Sequence, residues 1–126
     1  MDNRIKGRIL CVDDDPDTCE MITLLLGQAG YQVQHALSVR DGLAKARQGD
    51  LDLILLDWSF EDGTGLELCR QIRAFDARTT ILFYTGEIDE AAVKAALGAG
   101  AQGYLIKPVA VERLLQAISE YIRSEE

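Results

Sequence analysis

The stretch Leu53-Ile54-Leu55-Leu56 is apolar at four consecutive positions and ends on the carboxylate of Asp57. A strand that is apolar on both faces belongs in the middle of a parallel sheet covered by helices. Ligands of such sheets bind at the carboxyl ends of the strands. Asp57 therefore stands where chemistry is expected. The same arrangement occurs earlier, where Ile9-Leu10-Cys11-Val12 runs into Asp13-Asp14-Asp15. Two apolar strands that each end in acid imply one acidic pocket built from two strand ends.

The remaining elements follow in alternation. Lys6 to Val12 reads as the first strand, and Asp15 with Pro16 as a helix cap and first helical position. Met21, Ile22, Leu25, Leu26 and Ala29 recur at helical spacing, and Gly30 stops that helix. Tyr31 to Ala36 is a short strand, placed nearer a sheet edge by Gln32, Gln34 and His35. Ser38 caps a helix whose buried stripe is Val39, Leu43 and Ala46, ending at Gly49. Leu51 to Leu56 is the central strand, and Trp58 to Gly63 a loop. Thr64 and Glu67 have capping-box spacing and open a helix through Leu68, Cys69 and Ile72. Thr80 to Tyr84 is a fourth strand, ending in Thr85-Gly86. Asp89 to Leu97 is an Ala-rich helix, weakly apolar on any face. Gln102 to Ile106 is a fifth strand, stopped by Lys107-Pro108. Val111, Leu114, Leu115, Ile118 and Ile122 give the last helix a strong apolar stripe. Five strands alternating with five helices predict an α/β domain with a parallel sheet and helices on both faces. The length of 126 residues suits one domain, 1–126.

The net charge of −8 argues against direct nucleic-acid binding, which requires a basic surface. No apolar run approaches the roughly 20 residues that span a bilayer. The charged segment Met1 to Arg8 is not followed by a signal-length apolar stretch, so a cytoplasmic protein is expected. The three cysteines have no CxxC spacing, and Cys11, within an apolar strand, reads as a small buried thiol.

Four strands end in residues that share one sheet edge: Asp13-Asp14, Asp57, Thr85 and Lys107. Crowded carboxylates repel unless a cation neutralises them, and a hard divalent ion with oxygen ligands such as Mg²⁺ is their natural partner. Lys107 adds a fixed positive charge and Thr85 a hydroxyl. Together these groups are what phosphoryl transfer to a carboxylate requires.

At these residues the chain resembles, along essentially its whole length, the receiver domain of two-component response regulators. The matching motifs are Asp13-Asp14, Asp57, Thr85-Gly86, and Tyr104 followed three residues later by Lys107-Pro108. The resemblance implies a flavodoxin-like (βα)5 doubly wound sheet of five parallel strands in the order 2-1-3-4-5. It implies that Asp57 is the phosphoacceptor, served by a histidine kinase or a histidine phosphotransfer protein. Asp14, Asp57 and the main-chain carbonyl of Ser59 would bind Mg²⁺ or Mn²⁺, with Asp13 holding a metal-bound water. Lys107 and Thr85 would contact the phosphoryl group, and Thr85 and Tyr104 would move as switch residues. The Lys107–Pro108 bond would be cis. Ser59 and Glu87 match positions that tune phosphoryl lifetime. The face made by the fourth helix, fifth strand and fifth helix would change its affinity for partners, a second copy among them. The Ala-rich fourth helix is the element expected to shift. The domain would act as a switch that catalyses only its own phosphorylation and dephosphorylation. The sequence departs from the family at Glu61, where a proline is common, and at Thr64, where an aspartate is common. Those departures bear on loop shape and phosphoryl lifetime.

Each residue has a plainer reading: a capped turn for Asp13 to Asp15, a turn hydroxyl for Thr85, a surface lysine for Lys107, a half-buried sheet tyrosine for Tyr104. Their joint occurrence favours the receiver. Against a degenerate receiver that only binds partners stands the retention of Asp13, Asp14, Asp57, Thr85 and Lys107. An aspartyl phosphatase would need its nucleophile on the first strand, and a flavodoxin-like cofactor binder a phosphate loop that is missing there. His35 reads as surface or packing, and Trp58 as the rim of the pocket.

Overall fold

A computed structural model describes residues 5–123. The two acid-ended runs are adjacent central strands. β1 (Gly7–Val12) lies between β2 (Tyr31–Ala36) and β3 (Leu53–Leu56). On its other side β3 pairs with β6 (Thr80–Thr85), and β7 (Gly103–Ile106) closes the sheet. All pairs in this sheet are parallel. Counting only its five strands, the order is 2-1-3-4-5, the flavodoxin-like arrangement, and the polar β2 is an edge strand as its glutamines suggest.

Alternation along the buried strands divides the core in two. Ile9, Cys11, Leu53 and Leu55 face α1 (Pro16–Gln28) and α5 (Val111–Arg123). Leu10, Val12, Ile54 and Leu56 face α2 (Val39–Gln48), α3 (Gly65–Arg73) and α4 (Glu90–Gly98). Each of these eight strand residues is at most 1% exposed, and burying a Leu or Ile side chain contributes about 2 kcal/mol. The helix starts follow local capping chemistry. Asp15, Ser38, Thr64 and Asp89 accept main-chain N–H groups of Asp17, Asp41, Glu67 and Ala91 at 3.0–3.1 Å.

Several boundaries and faces differ from expectation. β1 begins at Gly7 and β7 at Gly103, and α4 runs from Glu90 to Gly98 with Asp89 as its cap. On α1, Met21 is exposed and the buried stripe is Cys19, Ile22 and Leu26. Steps of three and four residues from Ile22 and Leu26 select Cys19, one residue pair away from Met21. On α5, Ala117 is buried, whereas Val111 in the first turn is exposed. The expected loop after β3 contains a hairpin, β4 (Ser59–Phe60) and β5 (Gly63–Thr64). Strands of two residues carry no alternation to read. Buried Phe60 fastens the hairpin to the α2–α3 side of the core.

Candidate functional site

Register brings the chemistry together. Val12 lies opposite Leu56, and Leu56 opposite Phe83. The ladder continues one residue beyond three strands: Asp13 N–H donates to Ala36 O, Asp57 N–H to Val12 O, and Lys107 N–H to Thr85 O, at 2.8–3.0 Å. Three reactive side chains therefore project from backbone that is still part of the sheet. This is a more precise support than a free loop offers.

Asp13 is buried, Asp57 half-buried and Asp14 exposed, and one carboxylate oxygen from each lies within 4.8 Å of the others. The Lys107 Nζ is 2.7 Å from Asp13 Oδ2 and 3.4 Å from Asp57 Oδ2. It also sits 5.1 Å from the centre of the Tyr84 ring, whose face favours a cation. The other oxygens are held by main chain: Asp15 N–H donates to Asp13 Oδ1 at 2.9 Å, and Trp58 N–H to Asp57 Oδ1 at 2.7 Å. Each of these carboxylates thus has one oxygen fixed by the backbone and one facing the ammonium group. The peptide bond from Lys107 to Pro108 is cis.

Burial raises the proton affinity of the Asp13 carboxyl, and the charge of Asp57 adds to that rise. Hydrogen bonds from Lys107 and Asp15 only partly reverse it. For Lys107, burial opposes the charge, but the Asp13 hydrogen bond and the Asp57 charge outweigh it and hold the ammonium above the ordinary lysine range. Three hard oxygen donors crowded with excess negative charge fit a hard divalent cation such as Mg²⁺ or Mn²⁺.

Around this centre, Thr85 is buried at the end of β6, and its Oγ1 accepts the Glu87 N–H at 3.2 Å. Tyr104 stacks on Phe83 with centroids 5.8 Å apart and donates its hydroxyl to Glu87 O at 2.8 Å. Phe83 also meets Trp58, with centroids 5.5 Å apart. A row of three rings therefore runs from the residue beside Asp57 to the edge strand. Ser59 opens the hairpin two residues beyond Asp57, and Glu87 is exposed in the β6–α4 connection. His35 is exposed on β2.

Two residues near the site were not singled out from the sequence. A Cβ on Gly65 would lie 2.0 Å from the carbonyl oxygen of Asp57, so only glycine lets the chain turn back beneath that residue. Asp62, in the hairpin turn, accepts the N–H groups of Val39 and Arg40 at 2.9 and 3.0 Å. The glycine following the Thr64 cap was a visible signal for the first. No local signal links Asp62 to a helix that starts 23 residues earlier.

Comparison with known proteins gives one result throughout. The family described as "Response regulator receiver domain" matches residues 9–119. Response regulator ArlR of Staphylococcus saprophyticus is 36% identical over 118 residues, covering 94% of this chain and 53% of the relative. The transcriptional regulatory protein ZraR of Salmonella typhimurium is 36% identical over 118 residues, covering 92% of this chain but 27% of the relative. The chain thus spans about half or less of the length of these relatives. Among solved structures, a CheY-like receiver domain protein from Methanospirillum hungatei superposes with a TM-score of 0.90 at 31% identity, covering 94% of each chain.

Proposed function

Because the chain belongs to the response regulator receiver domain family, we propose that it is a phosphorylation-driven switch with Asp57 as the phosphoacceptor. The observation that carries this reading is the convergence of Lys107 Nζ on Asp13 and Asp57 beside a third carboxylate, Asp14. The donor is a phosphohistidine of a histidine kinase or a histidine phosphotransfer protein. In the transfer, the bond from phosphorus to the donor imidazole nitrogen breaks, and that nitrogen takes the bonding pair and a proton. A new bond forms between phosphorus and an Asp57 carboxylate oxygen.

Asp14, Asp57 and the main-chain carbonyl of Ser59 would hold the cation, Mg²⁺ or Mn²⁺, with the Asp13 carboxylate beside them adding negative charge. When bound, the cation screens the carboxylates and the phosphoryl oxygens from one another. Lys107, already beside Asp57 Oδ2, would neutralise charge on the phosphoryl group. The Thr85 hydroxyl gives up its present arrangement with Glu87 to donate to a phosphoryl oxygen. That movement is coupled to Tyr104 through Glu87, whose N–H and C=O are the respective partners of the two side chains. Ser59 and Glu87 flank the acceptor and tune phosphoryl lifetime. The α4–β7–α5 face reads out the state to a partner or a second copy. The setting is the cytoplasm, and no described helix is long and apolar enough to cross a membrane.

Intact mass after incubation with acetyl phosphate and Mg²⁺ tests this. The expected gain is one phosphoryl group, about 80 Da, lost in Asp57→Asn and lost when magnesium is withheld. A gain that survives the substitution would move the nucleophile elsewhere. Absence of any gain, from acetyl phosphate and from phosphohistidine donors alike, would leave a module that binds partners without phosphorylation.

A further inference from the structure

The hairpin after Asp57 is anchored at a distance. Its turn is Glu61-Asp62, between the paired residues Phe60 and Gly63. The Asp62 carboxylate reaches across to the start of α2 and takes two of its otherwise unpaired donors, Val39 N–H and Arg40 N–H, one on each oxygen. These two bonds hold the carboxyl below the usual aspartate range. Ser38 satisfies the next donor, Asp41 N–H, through its own hydroxyl. Gly63 lies beside Val39, where a Cβ would make ordinary contact with its Cγ2 at 3.4 Å. Phe60 and Val39 belong to the same buried cluster. The turn of the hairpin is therefore fixed to α2, while its other end is fixed to α3 by Gly65 N–H on Trp58 O at 2.8 Å.

Ser59 lies between those anchors, and its position is set from both sides. We infer that Asp62 is a positioning residue for the acceptor site: its two-point clamp on α2 fixes the hairpin and hence the aim of the Ser59 main-chain carbonyl at the cation. The inference rests on the proposed role of that carbonyl. Asp62 itself touches neither cation nor phosphoryl group. It supports a ligand as outer-shell partners do in metal sites generally.

The test is Mg²⁺ titration of the whole chain, followed by fluorescence of Trp58, whose N–H bonds to Asp57. Asp62→Ala is expected to weaken Mg²⁺ binding by about tenfold while the folded circular dichroism spectrum is retained. Asp62→Asn keeps one acceptor oxygen and falls between. Two controls separate the clamp from simpler causes. Glu61→Gln removes a neighbouring charge but no clamp bond. Ser38→Ala weakens the same helix end but leaves the hairpin tethered, so it lowers the melting temperature. Both retain wild-type affinity. Wild-type affinity in Asp62→Ala would overturn the inference while leaving the phosphoacceptor reading intact. Equal losses in Glu61→Gln or Ser38→Ala would overturn it too, assigning the effect to charge or to α2. A wild-type protein that neither binds Mg²⁺ nor gains a phosphoryl group would overturn the functional reading and this inference with it.

Discussion

Two connections leave neighbouring central strands at the site edge, one after β3 and one after β6, and they are held in different ways. The first turns back through a hairpin with a buried phenylalanine, a clamp onto α2 and a helix cap at Thr64. It ends on a glycine with no room for a methyl group. The second, Gly86 to Asp89, is exposed throughout. Its main ties are short-range, Glu87 N–H to Thr85 and a 3.4 Å contact from Asp89 N–H to Glu87, plus the Tyr104 hydroxyl on Glu87 O. Ile88 is 71% exposed and gives it no apolar anchor. A switch needs both behaviours. In the proposed switch the side that would hold the cation has to keep its geometry, and the side that would report has to change. Phe83, between Trp58 and Tyr104, joins the two through its ring.

The largest expected effect falls on the tight side. Gly65→Ala drives a Cβ to 2.0 Å from Asp57 O, against backbone that belongs to both the sheet ladder and the proposed acceptor. Overpacking of this kind costs about 3 kcal/mol, read as a lower midpoint of urea unfolding with an unchanged slope. Phosphoryl acceptance should fall even where the variant is folded. A midpoint near wild type would show that the β3–α3 connection yields, and the contrast between the loops would be lost.

At its far end, α4 is pinned. Arg73 of α3 donates to Gly100 O and Asp76 O, each at 3.0 Å, and to Gln102 Oε1 at 2.8 Å. The helix is thus fixed at its carboxyl end and loosely tied at the end facing Thr85, so it can pivot rather than detach. Only Ala92 and Ala96 of α4 are buried, which keeps the cost of a pivot low. Arg73→Met keeps much of the packing but frees those acceptors, at a cost of about 2 kcal/mol. Amide exchange should quicken from Ala95 to Gly100 and stay unchanged in the β4–β5 hairpin. Uniform quickening along α4 and the hairpin would instead mean that the two regions open as one unit.

The anchor also predicts an acid dependence. Burial works to raise the Asp76 carboxyl, but hydrogen bonds from Thr79 and Arg78 and the charge of Arg73 outweigh it and hold it below the usual aspartate range. A carboxyl depressed in the folded state contributes stability that is present above the unfolded pKa and is lost as pH falls through the folded one. Wild-type stability should therefore fall more between pH 6 and about pH 3 than that of Asp76→Asn. The difference should be smaller than the Arg73→Met effect, because the site is partly open to solvent. Parallel acid profiles in the two proteins would remove Asp76 from the anchor.

What the sequence made legible, and what it did not, follows the range of the interactions. Strands and caps were readable because alternation and capping are local, and because Asp13, Asp57 and Lys107 each stand one residue beyond an apolar run. Asp62 reaches α2 across 22 and 23 positions, and Arg73 reaches Gly100 and Gln102 across 27 and 29. No window of a single element contains both partners. Gly65 had a visible signal, the glycine after the Thr64 cap, but its close approach to the Asp57 carbonyl oxygen was not readable from it. Met21 was a different error: it recurs at helical spacing with Leu25 and Ala29, on a stripe beside the one the core covers, which is Cys19, Ile22 and Leu26.

The smallest expected effect has the opposite sign from the first and tests the contrast most directly. A Cβ on Gly86 meets nothing within 4 Å, and its φ is not in the left-handed region. Gly86→Ala then removes freedom from the unfolded chain without a clash, a gain of about 0.5 kcal/mol. The same added methyl group that damages the β3–α3 connection is therefore tolerated in the β6–α4 connection. Stiffening the reporting loop should leave Mg²⁺ affinity at the wild-type value, since none of the proposed ligands, Asp14, Asp57 and the Ser59 carbonyl, belongs to it. It should slow the exchange of Glu87 and Ile88 amides by the same small factor. A loss of stability in Gly86→Ala would mean that the loop samples, in the folded state, conformations only glycine permits. Its looseness would then be a property of the native ensemble rather than of sparse contacts.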